Sequence, residues 1–146
     1  MGTNAKLYDQ DFYAWTREQA TLLREGRFSE ADVAHIVEEI ETMGRSEKRE
    51  LVSRLVVLLT HLAKWKFQPV LQSRSWALTI RTQREDVEAL LADNPSLRPL
   101  LSELHERAWR RAALEAERET GLDPTVFPAD CPWSTDQTFA ADFFPV

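Results

Sequence analysis

The sequence predicts an all-α fold, a bundle of about five helices with an irregular aromatic C-terminal tail packed on it. Three observations carry that prediction. Apolar residues recur at helical spacing almost continuously up to Gly121. The chain holds only four glycines, and its seven prolines crowd toward the C-terminal half, so long elements come before the punctuation. No pair of alternating runs flanks a hairpin turn, and no internal repeat is present. With 146 residues the chain fits one domain, residues 1–146, divided into a bundle over 1–121 and a wrapping tail over 122–146.

The first helix is expected from about Asp9 to Arg24, with Tyr8, Phe12, Trp15, Gln19, Leu22 and Leu23 along one stripe. Asp9 and Asp11 favour its N-terminal dipole and Gly26 stops it. Ser29 then reads as an N-cap, with Asp32 three residues on. A second helix buries Val33, Ile36, Val37, Ile40 and Met43, and a break is favoured at Gly44 because Ser46-Glu47-Lys48-Arg49 resembles a fresh start. The third helix runs to about Gln68, closed by Pro69. Its broad apolar arc, centred on Leu51, Leu55, Leu58, Leu59 and Leu62, marks it as the central helix. A fourth helix spans about Ser75 to Ala92, ended by Asp93-Asn94-Pro95. Ser96 caps a fifth from Leu97 to about Glu119, with Gly121 as its stop. Beyond Leu122 four prolines and five aromatic residues replace the helical pattern, with a short helix beginning at Ser134 or Thr135.

Composition narrows the function. A net charge of −6 disfavours a protein held to nucleic acid by phosphate contacts, leaving only a local patch of Arg45, Lys48, Arg49 and Arg54. One cysteine excludes a disulfide framework and any multi-cysteine zinc site, and it suits a reducing cytosol. The start, MGTNAKLYDQD, has no signal-type apolar core, and Thr60, His61 and Lys64 interrupt the longest apolar run. A cytoplasmic protein without membrane contact is expected.

On α-helical geometry, His35 and Glu38 lie roughly 140–160° from the Val33/Ile36/Ile40 stripe. They therefore face away from their own helix's core, which counts against a metal site despite the His-x-x-Glu spacing. On the central helix Arg54, His61 and Gln68 form a polar strip, with Ser53, Val57, Thr60 and Lys64 beside it and Trp65 one turn beyond His61. Gln83 falls inside the apolar stripe of the fourth helix; Arg111, Glu115, Arg118 and Glu119 continue the apolar line of the fifth. Buried polar groups need partners, so a structural network is expected there ahead of a ligand pocket. Cys131, in Asp130-Cys131-Pro132-Trp133, reads as a small filler beside Trp133 rather than a nucleophile. There is no phosphate loop, no G-x-S-x-G elbow and no His-Glu-x-x-His.

The chain as a whole resembles the bacterial domain-of-unknown-function family number twenty-nine. The matching segments include Tyr8-x-x-Asp11-Phe12-x-x-Trp15, His35-x-x-Glu38-Glu39-Ile40 and His61-Leu62-x-Lys64-Trp65-x-x-Gln68-Pro69. They continue through Ser75-Trp76-x-x-Thr79-Ile80-x-x-Gln83-Arg84, Asn94-Pro95-Ser96-Leu97, Glu119-Thr120-Gly121-Leu122 and Cys131-Pro132-Trp133. The resemblance implies an all-helical bacterial cytoplasmic protein and brings no activity, cofactor or catalytic residue. The leading expectation is a non-enzymatic interaction or regulatory protein. It would bind an unknown protein partner through a polar-aromatic groove of His61, Lys64, Trp65, Gln68, Trp76, Gln83, Arg84 and Trp133. The alternative is a small metal-dependent enzyme or hydrolase using Glu38, Glu39 and His61. A homo-oligomer is compatible with either, since a face turned outward on one helix can face a second subunit.

Overall fold

The computed structural model describes residues 2–146, with side chains from Lys6 onward. It is all-α, with no strand among the described residues. The helices are α1 (Gly2–Gln10), α2 (Phe12–Arg24), α3 (Val33–Phe67), α4 (Arg74–Asp93), α5 (Leu101–Thr120) and the short α6 (Thr135–Phe139). Their contacts fall into two compact units that meet within α3, one up to Glu47 and one from Lys48 to Val146.

In the first unit the expected single helix is broken at Asp11. Its carboxylate accepts the Ala14 N–H at 3.0 Å and caps α2, while its own N–H closes the end of α1 on the Leu7 carbonyl. Ser29 does not cap the next helix; it lies in a 3-10 turn over Phe28–Glu30, and Asp32 stands immediately before α3 and accepts from the His35 N–H.

The favoured break at Gly44 does not occur. α3 runs through it for 35 residues. One glycine costs a helix only about 1 kcal/mol, and the Leu51–Ala63 segment that follows is anchored in the core. Glu50 and Arg54 pair along the helix at 2.8 Å and add to its support.

A larger correction concerns the face that α3 buries in this unit. Val33, Val37, Ile40 and Met43 are exposed, whereas His35 and Glu39 are partly buried. The reason lies in what α1 and α2 offer. The His35 ring stacks on Tyr8 at 3.9 Å, and Tyr8 donates to Glu39 at 3.1 Å. Asp32 takes hydrogen bonds from Trp15 Nε1 and from His35 Nδ1. Gln19 Oε1 accepts the Asp32 N–H at 2.7 Å. A polar face that finds partners and stacked rings can be buried without the usual cost.

The second unit has the expected leucine-centred core. Leu51, Leu55, Leu58, Leu59 and Leu62 of α3 are fully buried against Ile80 and Val87 of α4 and Leu104, Trp109 and Ala112 of α5. Ser73 caps α4, accepting the Trp76 N–H. The fifth helix begins later than Leu97: Pro95–Leu100 forms a 3-10 stretch containing Pro99, and the α-helix starts at Leu101. Gly121, at φ 71°, ends α5 in the left-handed conformation that glycine adopts without strain. The tail packs on this bundle, burying Phe127 and Trp133, and its short helix starts with a Ser134/Gln137 capping box.

Candidate functional site

The eight residues expected to share a groove do not all line one: Lys64 and Trp76 meet beside the groove that His61 lines, and the others lie elsewhere. Arg84 is interior. Its guanidinium donates to the carbonyls of Thr138 (2.8 Å), Ala141 (3.4 Å) and Phe143 (2.6 Å) and lies over the Phe144 ring. It therefore fastens the tail to α4. Trp133 is also core, edge-on to Trp109. Trp65 packs on Phe144 of the tail, and Gln68 lies just past α3, its N–H bonded to the Lys64 carbonyl. Gln83 borders a separate shallow cavity with Arg74, Ser75 and Thr79, and its buried Oε1 has no partner among the described residues.

Lys64 does bring elements together. Its Nζ is 3.0 Å from Glu119 of α5 and 4.6 Å from the centre of the Trp76 ring of α4, and only 12% of the side chain is exposed. The ammonium thus ties three helices at one end of a groove.

That groove contains His61. It runs between α3 and α5 with a volume of about 450 Å³, lined by Val52, Ser53, Val56, Val57, Thr60 and His61 on one side and Arg111, Glu115 and Glu119 on the other. Of Arg54, His61 and Gln68, which recur at seven-residue spacing, only His61 lines this groove; Arg54 pairs with Asp86 of α4 at 2.9 Å, and Arg111, Glu115 and Glu119 of α5 form the opposite wall. Glu115 binds Arg111 at 3.2 Å and also Arg118, so the α5 part of the expected network is paired, whereas, among the described residues, Gln83 Oε1 is not.

The protonation state of His61 follows from its contacts. Nδ1 lies 2.8 Å from the Val57 carbonyl, which can only accept, so Nδ1 carries the proton. Burial lowers the imidazole below its ordinary value. At neutral pH the ring is therefore uncharged and Nε2 is a free acceptor. Thr60 gives its hydroxyl proton to the Val56 carbonyl at 2.6 Å, so it too can only accept from a ligand.

The metal candidates do not assemble. Glu38 and Glu39 lie in the first half of α3 and His61 near its end, and side chains on one helix meet only three or four positions apart. No group of three His, Cys, Asp or Glu side chains suited to a metal ion occurs among the described residues.

Two clusters escaped the sequence because their members come from distant positions. One is the Tyr8–Asp32–His35–Glu39 group described above, in which Asp32 raises the His35 imidazole by hydrogen bonding. The other is His105, Thr138 and Cys131. Thr138 gives its hydroxyl proton to Ser134 O at 2.8 Å and so must accept from His105 Nε2–H, also at 2.8 Å. His105 then has no lone pair directed at the Cys131 sulfur, 3.9 Å from the same nitrogen. Burial pushes the thiol up to about 11. The pair is not a nucleophile and base.

No described helix is long and apolar enough to cross a membrane. No curated protein and no solved structure matches the chain. One family model does, over residues 7–144, nearly the whole length. The chain belongs to that family, described as Domain of unknown function DUF29.

Proposed function

We propose that this protein is a non-enzymatic helical interaction module that docks a protein partner in the α3–α5 groove around His61. The observation that carries the proposal is an open groove whose central imidazole has a fixed tautomer and an unused acceptor, Nε2. Beside it Val52, Val56 and Val57 form an apolar wall. The partner is one that inserts an apolar side chain against those valines and donates a hydrogen bond to His61. An interaction role also accords with the state of the nearby ionisable groups. Glu115 and Glu119 are already paired with cations.

The test is a photo-crosslinking residue placed at the exposed Ser53 in the native cell. One dominant cross-linked protein is expected, lost on His61→Ala at unchanged melting temperature. Binding should also weaken in acid, as pH falls through the lowered His61 value and protonation converts Nε2 from acceptor to donor. No protein cross-link at Ser53, or a cross-link indifferent to His61→Ala, overturns the proposal.

A further inference from the structure

Within the first unit, His35 stands among carboxylates from two helices. Asp32 binds its ring, Glu38 of α3 and Asp9 of α1 act on it through their charge, and Glu39 is bonded to the Tyr8 stacked on it. Among the described residues no lysine or arginine forms an ion pair with any of these four acids, and His35 pairs with Asp32 at 2.7 Å. A carboxylate only accepts, so Nδ1 keeps its proton and Nε2 is the nitrogen that titrates.

Little else holds α1 and α2 against α3. The hydrophobic core cluster contains no residue before Leu51, and Trp15 and Leu22 are the only buried apolar side chains among the described residues of the first unit. Gln19 is 3% exposed, yet its Nε2 has no partner among the described residues. A buried donor left unmade weakens the closed arrangement. The fastening is chiefly the Tyr8–His35 stack, with Tyr8 bonded to Glu39, Trp15 to Asp32, and the Asp32 N–H to Gln19. Segments with few buried apolar contacts open at lower cost than a core.

We propose that His35 is the clasp of a charge-dependent local switch. While its imidazole is a cation, α1 and α2 lie closed on the first half of α3; when the charge is lost they open, with the second unit still folded. The imidazolium lies flat against the Tyr8 ring, 3.9 Å between centres and 13° between planes, where a cation is attracted to the ring face. It also offsets the repulsion between Asp9 on α1 and Asp32 and Glu38 on the α3 side. Opening removes Tyr8 and Asp9 from the ring and exposes the Asp32–His35 pair to water, which weakens it. The closed form therefore holds the proton more tightly, in keeping with the raised His35 value that the Asp32 hydrogen bond gives. Its extra stability is present in acid and is lost as pH rises through that value.

The test is hydrogen exchange of the full chain from about pH 6 to about pH 9, read as protection factors corrected for intrinsic exchange, beside an NMR titration of the His35 imidazole. Protection of the α1 and α2 amides should fall severalfold across that range, with the same midpoint as His35, while α4 and α5 amides keep theirs. In His35→Gln, which carries no charge, the pH response should vanish. Should that variant leave α1 and α2 unprotected at every pH, Asp32→Asn decides: it keeps an acceptor for Trp15 without the charge, and the midpoint should move to lower pH. Flat protection in α1 and α2, a fall shared equally by α4 and α5, or a midpoint away from that of His35 overturns the proposal. So does a response that persists in His35→Gln or a midpoint unmoved in Asp32→Asn.

Discussion

Arg84 illustrates how one side chain can hold a segment that has little regular structure of its own. Three tail carbonyls converge on its guanidinium, and the residue is 6% exposed. Arg84→Ala would strand those acceptors and should destabilise the protein by about 2–4 kcal/mol, read from urea denaturation midpoints. Arg84→Lys should recover less than half of that loss, because a point-like ammonium cannot serve three separated acceptors as a planar fork does. Cys131 gives a second prediction at this scale. With its thiol pushed up to about 11, a disulfide reagent at about pH 8 should label it roughly two orders of magnitude more slowly in the folded than in the urea-unfolded chain. Equal rates would show that burial does not control the thiol. Both residues stood out in the sequence, Arg84 as part of a motif and Cys131 as the lone thiol. Their partners did not, because Thr138, Phe143 and His105 are distant in the chain.

Helix boundaries follow from local chemistry when a cap is present and from tertiary anchoring when it is not. Asp11 ends one helix and begins another through its side-chain bond to the Ala14 N–H. Asp11→Ala should therefore cost about 1 kcal/mol, measured by thermal or chemical denaturation. Gly44 is the opposite case, a helix-weakening residue that fails to stop α3. Gly44→Ala should raise stability by about 1 kcal/mol in the same measurement. A decrease would mean that a closer packing requirement outweighs helix propensity. The Ser46-Glu47-Lys48-Arg49 segment reads as a new start because serine and an early acid favour N-termini. Nothing terminates the preceding helix, however, and a cap-like sequence alone cannot break one. Ser134 and Gln137 form the opposite outcome: their local capping signal, in a tail without competing helix, does start α6.

For the whole molecule, the histidines make stability depend on pH in two opposed ways. Burial lowers His61 and His105, so the unfolded chain binds protons first as pH falls below about 6.5. Their contribution is complete above that value and is lost as pH drops through the lowered folded values. His35 is raised by Asp32, so its contribution is present below about 6.5 and is lost as pH rises through its folded value. Melting temperature measured from about pH 5 to pH 8 should show a shallower acid-side decline in His105→Gln. The alkaline-side decline should be smaller in His35→Gln. An acid limb unchanged by His105→Gln would mean that the buried imidazole is not what titrates. The all-α class, the leucine-centred middle helix and the packed aromatic tail were all determined by the sequence alone. Each is written in local periodicity, and a broadly apolar arc has only the core to occupy. The tertiary structure decided which face the first half of α3 buries, and where the eight expected groove residues went. It also decided which distant groups partner His35, Arg84 and His105. A hydrophobic stripe records only that one face is apolar. Whether that face or the polar one turns inward depends on the neighbour, and here Tyr8 and Trp15 make the polar face the one that can be satisfied.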